Sequence, residues 1–271
     1  MKVRREEVKA VIEKLKEIGG KVEEPPEGVE ARLRFKEGVV QVYSTGSITV
    51  GGKEKKKLEE IVGKAIFEGV ERELPIVGCD EAGKGELFGP LVVACVYADE
   101  KCYEELLKLG LKDSKRLKTE KILELSEKIK KVCSGRVKVL MPEEYNRLYQ
   151  KFKNQNRLME EVYLEVLEKL FKKKGFPKKV VIDKFSPKVE EVLKENFPQV
   201  EFEVKTKGEE EPVVAAAAVV AKAERLKRLA ELSKKLGFKV KEGNAENREL
   251  LRRIPREKLH KFIKEHFSVK E

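Results

Sequence analysis

Tryptophan is absent from the 271-residue chain, histidine occurs only twice, and the longest apolar run, Val213 to Ala221, is nine residues. Such a run is too short to cross a bilayer, and Met1 leads into a charged helix rather than a signal-like segment. Cys79, Cys95, Cys102 and Cys133 form no CxxC pair and have no neighbouring His. A zinc site of ordinary spacing is thereby excluded. The four cysteines read as reduced structural thiols, and the chain as cytoplasmic. No internal repeat and no low-complexity linker is present.

Charge, by contrast, is abundant. Charged residues make up 40% of the chain and the net charge is +11, above the usual quarter or so of charged residues. Lys and Glu enrichment suits a protein built for high temperature. The positive balance points to an acidic partner, nucleic acid or an anionic membrane surface; its plain alternative is a solvated, Lys-rich surface.

The first part predicts a compact α+β module over residues 1–72. Val8, Val11, Ile12, Leu15 and Ile18 recur at helical spacing before Gly19-Gly20. Three short strands follow over residues 29–35, 39–43 and 47–50, then a second helix marked by Leu58, Ile61, Val62, Ala65 and Ile66. On the first strand Ala31, Leu33 and Phe35 alternate with Arg32, Arg34 and Lys36, giving one apolar and one basic face. The module holds 16 Lys and Arg against 14 Asp and Glu, so it could bind phosphate only through a local patch. Leu74-Pro75 is the best boundary.

Residues 75–271 alternate strands and helices. Strands are expected at 76–79, 91–97, 137–141, 179–182 and 200–204, and helices near 114–132, 143–174, 187–197 and 213–236. The run Val180-Val181-Ile182 suits a central parallel strand buried on both faces. The pattern predicts a mixed α/β sheet with helices packed on it.

Chemistry concentrates where an apolar strand runs into Asp80-Glu81 and then Gly83-Lys84-Gly85 and Gly89. Neighbours on a regular strand point to opposite faces, so one site served by both acids requires the strand to end or twist there. The segment also matches GxxxxGK from Gly78 to Lys84. Gly85 stands where a nucleotide-binding loop needs Ser or Thr for Mg²⁺, and two acids would lie inside the phosphate cradle. Asp183 ends a strand, and Glu209, Glu210 and Glu211 precede the helix that starts at Pro212. Each has a plain reading, as a turn cap or a favourable charge at a helix N-terminus. Asp80-Glu81, Asp183 and one of the three glutamates would make a four-carboxylate cluster, costly without cations. Hard oxygen ligands shared with phosphates point to Mg²⁺ or Mn²⁺.

At these residues the chain resembles the type 2 ribonucleases H. Asp80-Glu-Ala-Gly-Lys-Gly85 with Phe88-Gly-Pro90, Lys112-Asp-Ser-Lys115, the Asp183 strand and the helix Val214 to Lys222 occur in the family's order. The resemblance spans most of residues 75–267. It is nearer ribonuclease HIII than HII, on Phe88-Gly-Pro90, on Glu144-Tyr145-Asn146 running into Asn156-Arg-Leu158, and on the added N-terminal module. That module resembles the family's TATA-binding-protein-like substrate-binding domain.

The resemblance implies an RNase H-like sheet and a monomeric enzyme that cuts the RNA strand of RNA/DNA hybrids by a two-metal mechanism, leaving 5′-phosphate and 3′-hydroxyl ends. Asp80, Glu81 and Asp183 would bind the two ions. Glu209 is the choice for the fourth carboxylate, with Glu210 its rival. Gly83, Lys84 and Gly85 would contact the substrate through the main chain, with Ser114, Lys115 and Lys222 as further substrate contacts. Lys84 departs from the pattern, since HIII enzymes more often carry Thr there and HII enzymes Arg. An HII-like enzyme incising at single ribonucleotides is therefore the alternative, and a non-catalytic hybrid-binding protein is the alternative from another class. The Leu-His-Asn segment usual in HIII is here Val162-Tyr-Leu164. The alanines at 215–218 suit helix–sheet packing, and His266-Phe267 the docking of a last helix.

Overall fold

The apolar stripes of the first 70 residues become two helices and a sheet that share one core. A computed structural model describes residues 1–70, 73–111, 117–206, 208–245 and 247–268, with Glu209 described by its backbone alone. Val8, Val11 and Leu15 line α1 (Val8–Glu17), and Leu58, Val62, Ala65 and Ile66 line α2 (Lys55–Gly69). They pack on an antiparallel sheet of order β1-β2-β3-β4, formed by β1 (Lys21–Glu23), β2 (Ala31–Arg34), β3 (Val39–Val42) and β4 (Ile48–Gly51). Leu33 is fully buried, while Arg32 and Arg34 face away from the core. Strand β1 was not anticipated, because Val22, its one apolar residue, is largely exposed. It is held by pairing with β2, and Glu23 accepts from Arg32 Nε at 2.8 Å and Arg34 Nε at 2.7 Å.

The second sheet has the order β7-β6-β5-β8-β9. Its strands are β5 (Ile76–Ala82), β6 (Leu91–Ala98), β7 (Ser134–Leu140), β8 (Lys179–Asp183) and β9 (Glu201–Lys205). Antiparallel pairing joins β5, β6 and β7, and β8 runs parallel to both β5 and β9. Val180, Val181 and Ile182 are buried on both faces, as the unbroken apolar run predicts. One face carries α3 (Glu100–Leu109), α4 (Thr119–Val132) and α8 (Pro212–Leu236); the other carries α6 (Gln155–Lys174) and α7 (Val189–Asn196). The apolar layer under α8 continues without interruption into the core of the N-terminal sheet.

Several expectations need correction. The long helix expected over residues 143–174 is two, α5 (Pro142–Phe152) and α6. Lys153 turns left-handed (φ 51°), and the Asn154 side chain caps α6 by accepting from the amides of Asn156 and Arg157. Helix α3 was missed, although Asp99 caps it and Gly110 ends it in a left-handed turn. No final α-helix follows α8 among the described residues; residues 248–267 form short 3₁₀ turns. The cysteines are not free thiols: Cys79 bonds Cys95 and Cys102 bonds Cys133. The first pair faces across the β5–β6 ladder and the second ties α3 to the end of α4.

Helix α8 sets the position of β5. A side chain at Gly78 would lie 2.4 Å from the Val213 backbone, so helix and strand approach as closely as their main chains allow. Two residues further along β5 is Asp80.

Candidate active site

Pairing between β5 and β8 ends at Cys79↔Ile182. One step beyond stand Asp80, still within β5, and Asp183, the last residue of the parallel β8. Against β6, however, β5 continues through Asp80↔Ala94, Glu81↔Val93 and Ala82↔Val92. Of the two expectations, that the strand ends or twists at the acidic pair, the first does not hold: β5 loses one neighbour there and keeps the other. The freed edge is where the acids collect.

Asp80 Oδ1 accepts the Glu81 amide at 2.8 Å, and Asp183 Oδ1 accepts the Gly208 amide at 2.9 Å. The second bond pins the 3₁₀ turn Gly208–Glu210 to the end of β8. Gly208 fits because a Cβ there would lie 3.0 Å from the Asp183 Cα. Glu209 begins one residue further, and its side chain lies outside the described residues. Glu211 is buried, accepts from Tyr103 Oη at 2.6 Å and lies 3.9 Å from Arg4 of the N-terminal part.

Glu81 meets Tyr163, which sequence reading missed. The phenol of this buried α6 residue donates to Glu81 Oε2 at 2.6 Å. Burial pushes the Glu81 carboxyl above the usual carboxylate range and the charge of Asp183 adds to the push, while Tyr163 and the Lys84 ammonium oppose it. Burial and the charges of Glu81, Asp80 and Asp183 hold the Tyr163 phenol well above its ordinary value, so it stays a donor. Tyr163 belongs to Val162-Tyr-Leu164, the segment that departs from the HIII pattern. Its signal was that departure itself.

The glycine loop folds over the ends of these strands. Gly83 has φ +85°, and a Cβ there would lie 2.4 Å from both Arg225 Nε and the Pro90 carbonyl oxygen. Arg225, buried in α8 beneath the loop, donates to Glu86 Oε2 at 2.8 Å and to the Phe88 carbonyl at 3.2 Å. Lys84 Nζ donates to the Phe185 carbonyl at 2.9 Å, bridging the loop to the segment after Asp183. Gln155 Nε2 donates to the Lys84 carbonyl at 2.6 Å, and Asn244 Nδ2 to the Gly85 carbonyl at 2.8 Å. Neither residue was singled out in the sequence, because their contacts span 71 and 159 positions.

Of the remaining expected contacts, Lys222 is half-buried on α8, three residues before Arg225, and pairs with no acid among the described residues. Ser114 and Lys115 lie outside the described residues. His266 stacks on Tyr149 at 4.1 Å between ring centroids, which docks the C-terminal segment against α5.

Among the described residues no three Asp, Glu, His or Cys side chains are grouped closely enough to hold an ion. The donors near Asp80 nonetheless fit a hard divalent cation. They are all oxygen, and the charges of Asp80, Glu81 and Asp183 all act on one buried phenol.

A family profile described as Ribonuclease HII matches residues 77–270. The chain belongs to the ribonuclease HII family. It is 34% identical over 235 residues to ribonuclease HIII of Aquifex aeolicus, covering 85% of this chain and 84% of that one. The crystal structure of Aquifex aeolicus RNase H3 superposes with a TM-score of 0.62 at 29% identity, covering 98% of this chain and 99% of the other. That of Bst-RNase HIII in complex with Mn²⁺ gives 0.69 at 23% identity, covering 99% and 95%, a likeness of fold. The five-stranded mixed sheet with its helices is thus RNase H-like, and the HII-family chain has HIII enzymes among its relatives.

Proposed function

We propose that this ribonuclease H cuts the RNA strand of RNA/DNA hybrids endonucleolytically, leaving 5′-phosphate and 3′-hydroxyl ends. The observation that supports the reading best is that Asp80 and Asp183 stand side by side just where the β5–β8 pairing stops, with Glu81 held by Tyr163 and the glycine loop following directly. Asp80, Glu81, Asp183 and Glu209 are the residues that would hold two Mg²⁺ or Mn²⁺ ions, with Glu210 the rival for the last place. When bound, such ions supply an activated water and stabilise the charge on the leaving 3′-oxygen.

The chain's own groups prepare that chemistry. Tyr163 orients Glu81, the Gly208 amide orients Asp183, and the loop that carries Gly83, Lys84 and Gly85 meets the ribose side of the substrate. Lys222, together with Ser114 and Lys115, is the candidate for phosphate contacts. Residues 1–72 act as a TATA-binding-protein-like substrate-binding domain. A groove of about 370 Å³ lined by Arg32, Arg34, Gln41 and Thr49 on its sheet supports this role.

Asp80→Asn decides the central assignment. Cleavage of a continuous RNA/DNA hybrid should be abolished, with hybrid binding by fluorescence anisotropy retained. Near-normal turnover by the variant would remove Asp80 from the mechanism. Offering the wild type a DNA duplex with one ribonucleotide, and mapping the cuts, separates hybrid cleavage from HII-like incision, the reading that a basic residue at Lys84 keeps in view.

A further inference from the structure

The carbonyls of the glycine loop are all engaged from inside the protein. Gly83 accepts from the Glu86 amide at 3.3 Å, Lys84 from Gln155 Nε2 at 2.6 Å and Gly85 from Asn244 Nδ2 at 2.8 Å. The amides of Lys84 and Gly85 donate to no described residue, and Gly85 is exposed with open space around it.

We infer that Gln155 and Asn244 are positioning residues for recognition of the ribose 2′-hydroxyl, each fixing the direction of one loop amide. This rests on the proposed reading of the site as acting on RNA paired with DNA. In a trans peptide the C=O of one residue and the N–H of the next point in opposite directions. Gln155 draws the Lys84 carbonyl inward and so turns the Gly85 N–H outward. Asn244 acts through one more link. It holds the Gly85 carbonyl, which orients the Glu86 amide; that amide holds the Gly83 carbonyl, and the Lys84 N–H is left facing out. Without these anchors the glycines on either side would let the peptide planes flip at little cost. A surface of donors alone binds oxygen lone pairs. It accepts a 2′-hydroxyl and finds nothing at that position on deoxyribose.

Both anchors are themselves fixed. Gln155 opens α6 directly after its cap Asn154, and its Nε2 also donates to Tyr145 Oη at 3.0 Å. Asn244 uses both ends of its amide, accepting from the Leu87 amide at 2.7 Å through Oδ1. The turn that carries it is closed by Asn247, whose Nδ2 donates to the Lys241 and Gly243 carbonyls at 2.7 Å each. The segment after α8 is thus part of the recognition apparatus.

The test compares full-length wild type, Gln155→Leu and Asn244→Asp on two substrates: a continuous hybrid, and the same hybrid with 2′-deoxyribose at the nucleotide contacted. Asn244→Asp keeps the acceptor for Leu87 and removes only the donor to Gly85. Any effect of its added charge on phosphate binding falls on both substrates and cancels in their ratio. Each variant should lower kcat/KM on the all-ribose strand by about tenfold while hardly changing it on the substituted strand, so that discrimination shrinks by about the same factor. Melting temperature establishes that both variants fold, and Gln155→Leu, at a half-exposed position, carries the test alone if Asn244→Asp does not. Parallel losses on both substrates, or unchanged discrimination, overturn the positioning role while leaving the enzyme's activity on hybrids intact. A wild type that cuts no hybrid overturns the proposed function, and this inference with it.

Discussion

Tyr163 and Glu81 are 82 residues apart in sequence and 2.6 Å apart in space, the phenol donating to the carboxylate. A hydrogen bond to a charged group contributes about 1.5–3 kcal/mol, and the partner left behind here is buried. Tyr163→Phe should therefore lower kcat/KM on a continuous hybrid by about one to two orders of magnitude. Steady-state kinetics at saturating divalent ion measure this. An unchanged rate would mean that Glu81 needs no orientation.

Lys264 gives the stability curve a specific slope. It is fully buried and donates to the Gly89 carbonyl at 3.1 Å; burial and the nearby Arg225 charge push its ammonium down to about 7. The unfolded chain titrates this group near 10.4. Between these values the unfolded state binds the extra proton, so stability from this group grows as pH rises from about 7 and is fully present above the unfolded value. Below about 7 it is lost. Lys264→Met should raise the melting temperature most at pH 6, and that advantage should shrink steadily towards pH 10 in matched thermal melts. A constant difference would contradict the depressed value.

Closing a 31-residue loop, the Cys102–Cys133 bond contributes about 3–4 kcal/mol in the chain-entropy account. The double variant Cys102→Ser, Cys133→Ser should melt several degrees lower. Thiol titration of the unreduced, denatured wild type should find no free cysteine. Four titratable thiols would return these residues to the reduced state that the sequence suggested.

Thr49 is exposed on the sheet groove of the N-terminal part. An acid there repels phosphate. Thr49→Glu should raise KM for a long hybrid severalfold and leave kcat unchanged, with the difference narrowing as salt screens the charge. A matching fall in kcat would place the groove's role elsewhere.

Much of the catalytic sheet was legible because its strands are local patterns. The apolar run at Val180 to Ile182 and the acid–glycine junction at Asp80 to Gly85 announce themselves within a dozen residues. What escaped depends on register and distance. Cys79 meets Cys95 only once β5 and β6 are aligned antiparallel, and Cys102 meets Cys133 only once α3 lies beside α4. Gln155 and Asn244 sit in ordinary polar or helical surroundings, so nothing near them in sequence betrays what they touch, and the departure at Val162-Tyr-Leu164 marks Tyr163 without naming its partner. Strand β1 escaped for the opposite reason: its stability comes from a neighbour, and its own composition is nearly all charge.

Helix α8 carries two supports on one rigid rod. Glu211 stands at its start beside the acidic turn, held by Tyr103, and Arg225 lies fourteen residues later beneath Gly83. At 1.5 Å per residue these points are held about 20 Å apart, and one residue more or less would also swing Arg225 through about 100° around the axis. The helix therefore works as a gauge block between the turn that follows β9 and the glycine loop that follows β5. Its length can change only in whole residues, each of which turns Arg225 away from the loop it props.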